Sequence, residues 1–280
     1  MIKPFGFIKP KTVEEALSAL QVPNSVCLAG GSDLLVEMRN GLKNPDLVVD
    51  IKGLKEAAEF SFDPRKGITI GAGVSLNFLA AHKGIRESCP ALAEAAASIG
   101  SYQIRNRATL VGNICNASPA ADMAPVLYIL GAEMVIAGPG GEKTLPVSEF
   151  MTGVKQNALS AGEFVIKVNI PPLPRARMAF MKKQRVRGHD LALINAAGLA
   201  DADAQLLRIC VGACAVRPVL LEGTDELYRK EKNPDKLAEA VAGLASASVS
   251  PIDDVRASAE YRRDLVRVFA RRIVKQVCAA

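Results

Sequence analysis

The chain has no Trp, 4 Tyr and 2 His among its 280 residues. Its net charge of +6 points toward nucleic acid, but base stacking needs aromatics interleaved with basic residues, and these are missing. The positive charge is dispersed. It is densest at Lys182-Lys183-Gln184-Arg185 with Arg187, and in a tail holding Arg262, Arg263, Arg267, Arg271, Arg272 and Lys275. That tail has helical spacing, with Tyr261, Leu265, Val268, Phe269, Ile273 and Val277 as its apolar stripe and its arginines as a solvated or partner-docking face. The six cysteines, Cys27, Cys89, Cys115, Cys210, Cys214 and Cys278, form no C-x-x-C pair. Cys210 and Cys214 fall in a strand-like run, where residues four apart stand about 13 Å apart, too far for one metal. Small buried hydrophobes in a reducing compartment is what these thiols suggest, and no metal set is expected. No G-x-S-x-G or H-E-x-x-H occurs, so no substrate nucleophile is evident. His82 reads as a helix-surface residue, and His189, beside Asp190, as a neighbour of the site described below. No apolar run can span a bilayer: the best, residues 124–137, is too short and contains Glu133. Lys3 and Lys9 precede no long apolar segment, so no secretory signal is expected and a cytoplasmic location follows.

Two glycine-bearing segments carry the functional signal. The first is Leu28-Ala29-Gly30-Gly31-Ser32-Asp33-Leu34-Leu35. Val26 to Ala29 reads as a buried strand, Gly30-Gly31 breaks it, and Ser32 or Asp33 can cap a helix that stops at Gly41. A strand, a tight turn and a helix start bring free N–H groups to one place, and glycine removes the Cβ that would keep a phosphate away. The spacing matches neither a Rossmann nor a P-loop motif. The second segment runs from Thr109-Leu110-Val111-Gly112-Asn113 through Ser118 to Asp122. It supplies hydroxyls, amides and one carboxylate. Beside a phosphate that carboxylate would be repelled, so Asp122 suits a sugar or ribityl hydroxyl, and it also suits the N-cap of the helix that follows. Two such segments facing one another would hold a diphosphate from both sides, which suggests a dinucleotide.

The organisation is mixed. Thr12-Val13-Glu14-Glu15 opens a helix as a capping box. The strand at Val26, the helix after Gly30-Gly31 and a strand over residues 46–51 make a βαβ unit, so its strands should be parallel. Residues 67–73 read as a strand, Ser75 caps a helix, and residues 91–99 form another. Strands over 133–137 and 163–170 are separated by a turn at Gly138 to Gly141. Pro171 to Pro174 is the clearest linker. Beyond it, strands over 177–182, 192–199 and 206–211 precede two helices, the first capped by Asn233 with Pro234 at its first position.

Ile99-Gly100-Ser101-Tyr102-Gln103-Ile104-Arg105-Asn106-Arg107-Ala108, continuing into the second segment with Ala117-Ser118-Pro119, resembles the flavoprotein subunit of molybdenum hydroxylases, the xanthine and carbon monoxide dehydrogenase type. The Ala29 to Leu35 loop resembles that family's first FAD loop, and Phe180 to Arg185, with Arg187 and Asp190 to Ala192, its segment near the flavin ring. Val111 stands where relatives carry the first glycine of Thr-Ile-Gly-Gly-Asn, and its Cβ is expected to hold that N–H farther from the phosphate.

The resemblance implies an α+β fold: a two-lobed FAD-binding domain of the vanillyl-alcohol-oxidase/PCMH type over residues 1–173, with lobes of about 1–54 and 55–173, then a small antiparallel sheet with helices over 174–280. It implies FAD on Leu28 to Leu35, Ile99, Thr109 to Asn113, Ser118 and Asp122. Ile166 would form an apolar wall near the adenine or an adjacent ring, and Lys182 would be a cation near the flavin. It also implies a ferredoxin-like partner with iron–sulfur clusters and a large molybdopterin subunit. Electrons would leave to NAD, oxygen, a quinone or another acceptor. Arg105 or Arg107 is expected at the partner or flavin face, or else holding the loop through local carbonyls. A stand-alone FAD-dependent reductase, and a non-redox basic binding module, are the alternative classes.

Overall fold

A computed structural model describes residues 2–173, 175–186 and 188–278. Pro174 of the expected linker and Arg187 of the basic run lie outside the described residues. The strands, in chain order, are β1 (Gly6–Ile8), β2 (Ser25–Leu28), β3 (Leu47–Asp50), β4 (Phe60–Asp63), β5 (Gly67–Gly71), β6 (Glu133–Gly138) and β7 (Gly141–Pro146). They continue with β8 (Met151–Gly153), β9 (Gln156–Asn157), β10 (Phe164–Ile170), β11 (Arg177–Lys183), β12 (Ile194–Asp201), β13 (Leu206–Gly212) and β14 (Val219–Leu220). The helices are α1 (Val13–Leu20), α2 (Leu34–Arg39), α3 (Leu76–Ala81), α4 (Lys83–Ser88), α5 (Pro90–Ala97) and α6 (Tyr102–Arg105). After these come α7 (Leu110–Cys115), α8 (Met123–Ile129), α9 (Val147–Phe150), α10 (Thr224–Lys230), α11 (Pro234–Ala247) and α12 (Ala259–Val277).

The first sheet is parallel, in the order β1-β3-β2. The crossover through α2 requires this direction for β2 and β3; β1 adds an edge strand that the sequence pattern did not signal. Thr12 caps α1 by accepting from Glu15 N–H at 3.2 Å. The return arm of the capping box goes one residue earlier than expected, from Lys11 N–H to the Glu15 carboxylate at 2.7 Å.

The second sheet runs β4-β5-β10-β6-β7, all antiparallel. The Gly138 to Gly141 turn closes the β6–β7 hairpin, with Gly141 at φ +101°, while β6 and β10 lie side by side in the sheet. α7 packs on β10 of this sheet, and α3, α5, α7 and α8 share with it the larger core, with Leu76, Leu92, Leu110, Ile114 and Val126 all fully buried. His82 is not a plain surface residue. Its Nδ1 accepts from Ile85 N–H at 3.3 Å to cap α4, and its ring packs beside Phe60, Phe62 and Phe78.

The third sheet, β11-β12-β13-β14, is antiparallel and is backed by α11 and α12. Cys214 lies beyond the end of β13 rather than on it, and all six thiols are free. Among the described residues no helix is long and apolar enough to cross a membrane.

The face that α12 buries differs from the expected stripe. Arg262, Val266, Phe269, Ala270, Ile273, Val274 and Val277 are buried, and Tyr261 is exposed. Arg262 is 3% exposed, and its guanidinium meets the Asp254 carboxylate at 2.6 Å, so an ion pair occupies a position that apolar periodicity assigns to solvent. The short α10, with Thr224 buried at its start, was not anticipated.

Burial acts upward on Asp254, but hydrogen bonds from Arg256 and Arg262 outweigh it and hold the carboxyl well below its ordinary range. A depressed carboxyl adds stability above its unfolded pKa, about 3.9, and that stability is lost as pH falls through the folded value. Asp254→Asn should therefore lower stability at neutral pH and flatten the rise of unfolding free energy with pH in acid. Parallel wild-type and variant slopes in denaturant titrations would remove this role.

Candidate functional site

Both glycine-bearing segments border one cleft of about 950 Å³. The first contributes Leu28 through Leu34, and the second contributes Thr109, Val111, Gly112, Asn113, Ser118 and Asp122; Ile99 and Lys182 also border it. Three expected residues do not. Leu35 packs toward Gly31, Leu110 is fully buried, and Ile166 is fully buried in the core. The register of β10 steps between Val165 and Lys167, and Phe164 and Val165 border the cleft in place of Ile166.

Gly30, which lines the cleft, also meets a packing requirement that its sequence does not suggest. An added Cβ would overlap the Arg107 carbonyl oxygen and sit 2.9 Å from Ala108 Cα. Its missing side chain admits the peptide that leads into the second segment, so the two segments touch backbone to backbone. Gly31 takes φ +79°, the left-handed region that glycine adopts freely. Asp33 precedes α2 but makes no capping bond; its carboxylate accepts instead from the Asn116 amide at 3.0 Å. Among the described residues, the N–H groups of Gly31, Ser32 and Asp33 meet no acceptor. Thr109 caps α7 by accepting from Gly112 N–H at 3.0 Å. The Leu110 and Val111 N–H groups are left in the first turn, where no intrahelical acceptor exists. Val111 sends its side chain into the core.

At one end of the cleft lies a buried polar triad. The antiparallel register sets Lys182 directly opposite Asn195, so both point to one face. Lys182 Nζ lies 2.6 Å from Asp122 Oδ2 and donates to the Ser98 carbonyl at 3.1 Å. Asn195 Nδ2 donates to Asp122 Oδ1 at 2.8 Å. Gly212, across from Asn195, lacks the Cβ that would collide with Asn195 Oδ1. The Lys182 side chain is only 6% exposed. It is neither a surface lysine nor a free cation, because Asp122 neutralises it. Burial pushes the Asp122 carboxyl up, opposed by Lys182 and by the Asn195 amide. Asp122 makes no capping bond either; the Met123 N–H donates to Asn113 Oδ1 at 3.3 Å. Asn195 was missed in the sequence. Its signal, one amide inside an apolar strand, is weak until its partners are known.

Arg105 takes the local-carbonyl role. It donates to the Ile99 and Gly100 carbonyls at 2.9 and 3.2 Å and to Asn77 at 3.0 Å, which fixes the turn bordering the cleft. Arg107 has an exposed side chain. His189, Asp190 and Leu191 border the cleft. Cys27 and Cys115 also border it; burial pushes Cys115 up to about 12 and Cys27 higher.

Two outcomes follow from this geometry. Gly30→Ala forces backbone rather than a flexible side chain to move, and should lower unfolding free energy by about 1–3 kcal/mol. An unchanged denaturation midpoint would mean that the segments do not need this contact. Asp122→Ala strands a buried ammonium and should cost about 3–5 kcal/mol, most of it recovered on adding Lys182→Met. Simple additivity in that double-mutant cycle would show the pair to be uncoupled.

The comparisons with known proteins agree along the whole chain. The model of the FAD binding domain in molybdopterin dehydrogenase matches residues 3–173, and that of the CO dehydrogenase flavoprotein C-terminal domain matches residues 179–277. The chain is 30% identical to the nicotinate dehydrogenase FAD-subunit of Eubacterium barkeri, over 98% of this chain and 96% of that one. It is 27% identical to the glyceraldehyde dehydrogenase medium chain of Sulfolobus acidocaldarius, over 98% of each. Among solved structures, carbon monoxide dehydrogenase from Hydrogenophaga pseudoflava superimposes with a TM-score of 0.93 at 26% identity, covering 100% of this chain and 99% of that one. The chain belongs to the FAD-binding flavoprotein subunits of the molybdenum hydroxylase family.

Proposed function

We propose that the chain is the electron-transfer subunit of a molybdopterin-dependent hydroxylase or dehydrogenase. It receives electrons from iron–sulfur centres on a ferredoxin-like partner, after substrate oxidation on a large molybdopterin subunit. It delivers them to an external acceptor, NAD being one candidate. The observation that carries this is the convergence of both glycine-bearing segments on one cleft.

The donor set fits a dinucleotide. The N–H groups of Gly31, Ser32 and Asp33 and the first turn of α7 form two patches of unpaired backbone donors suited to a diphosphate. Asp122 keeps lone pairs beyond those given to Lys182 and Asn195 and can accept from a ribityl or ribose hydroxyl. Ser118 adds a hydroxyl at the rim. Phe164 and Val165 offer an apolar wall toward one end, while Ile99, Leu191 and the neutralised Lys182 border the other. When bound, FAD supplies redox chemistry that side chains lack. Lys182 helps here by holding Asp122 and the Ser98 carbonyl in place rather than by presenting a bare charge. Residues 1–173 form the cofactor-binding part, and residues 174–280 bring β11 and β12 to close its ring end. Arg107, whose backbone is fixed by Gly30 and whose side chain is exposed, is the arginine available to a partner. The buried free thiols suit a reducing, cytoplasmic setting.

Titrating the purified chain with FAD should quench flavin fluorescence at one equivalent and give the absorption bands of a bound oxidised flavin. Asp122→Asn should weaken FAD by about 1.5–3 kcal/mol, the worth of a charge-assisted hydrogen bond. A wild-type chain that leaves flavin free overturns the cofactor assignment, and an isolated chain that oxidises an organic substrate unaided at full rate overturns the relay.

A further inference from the structure

Elsewhere along the cleft, a polar chain joins three pieces of backbone. Asn116, just after α7, donates from Nδ2 to Asp33 Oδ1 at 3.0 Å. Its Oδ1 accepts from Lys155 Nζ at 2.5 Å. Lys155 Nζ also lies 3.4 Å from Glu37 Oε1, and the other Glu37 oxygen lies 3.1 Å from Lys43 Nζ. Asp33 and Glu37 belong to the first segment and α2, Asn116 to the second, and Lys155 to the turn between β8 and β9. All border the cleft.

The backbone reinforces this link. Lys155 N–H donates to the Ala117 carbonyl at 2.9 Å, and Asn157 Nδ2 to the Cys115 carbonyl at 2.8 Å. Lys155 at φ +56° and Ala117 at φ +45° are both left-handed, where side chains are disfavoured. Glycine would relieve that strain at residue 155. A lysine held there despite it points to a use for the ammonium. Electrostatics names the use. Asp33 and Glu37 place two carboxylates beside the region assigned to an anionic diphosphate, and Lys155 and Lys43 balance them. Without Lys155 the cluster would carry a net negative charge that repels the ligand.

We propose that Lys155 is a positioning residue for the cofactor. Through Asn116 it braces Asp33 of the first segment against the second, alongside the Gly30 contact that fixes their separation, and it cancels the carboxylate charge beside the diphosphate. This rests on the FAD assignment of the cleft.

The test is FAD affinity of the full chain, read by flavin fluorescence at low and high salt. Lys155→Met should raise the dissociation constant about fivefold at low salt, the defect narrowing at high salt as repulsion is screened. Lys155→Arg should restore it to within about twofold, while the FAD-free melting temperature barely moves in either variant. Asn116→Leu cuts the same bridge without removing the ammonium and should weaken FAD in the same direction. Wild-type affinity in both Lys155→Met and Asn116→Leu overturns the proposal, as does a Lys155→Arg variant as weak as Lys155→Met. A wild-type chain that binds no FAD removes the cofactor assignment itself, a result visible before any variant is made.

Discussion

The absence of a side chain at Gly30 is the constraint on which the site depends. The Arg107 carbonyl occupies the space that a Cβ would need. Because the contact is between two backbones, neither side can adjust by changing a rotamer. The first segment follows a parallel strand and the second leads into a helix capped by Thr109. Their mutual placement is thus inherited from two regular elements and transmitted through one peptide contact. Long-range approach of this kind keeps the donor groups pre-arranged, which reduces the ordering cost of binding.

The second constraint is electrostatic and lies at the other end of the cleft. Asp122, Lys182 and Asn195 come from the start of α8 and from two strands of the third sheet. A buried ion pair is a poor source of net stability, since desolvation offsets much of the attraction, but removing one partner is severe. The triad is satisfied in the observed strand register. In that register β11 and β12 present Lys182 and Asn195 side by side to Asp122. Arg262 and Asp254 form a similar pair at the start of α12, on the face that six apolar residues bury.

Much of this was legible in the sequence because it was local. The caps at Thr12, Ser75 and Asn233, the turn at Gly138 to Gly141 and the breaks at Gly30 and Gly31 depend on residues a few positions away. What was misread depends on partners far along the chain. Asp33 and Asp122 look like caps, yet their carboxylates serve Asn116, Lys182 and Asn195. Lys182 is expected near the flavin, but its burial depends on Asp122 and on its cross-strand neighbour Asn195, both distant in sequence. Ile166 follows the strand alternation until a register step intervenes. Gly30 is legible as special, whereas the peptide that its missing Cβ admits is not, because Arg107 lies far along the chain.

The two thiols at the cleft, Cys27 and Cys115, carry a consequence of their own. Thiol–disulfide exchange and metal capture both require the thiolate, and burial keeps these groups protonated across the physiological range. Sulfur set beside a redox group is ordinarily a route for stray electrons or covalent capture. Here both sulfurs line the cleft as packing volume, and desolvation disfavours the thiolate that either reaction would need.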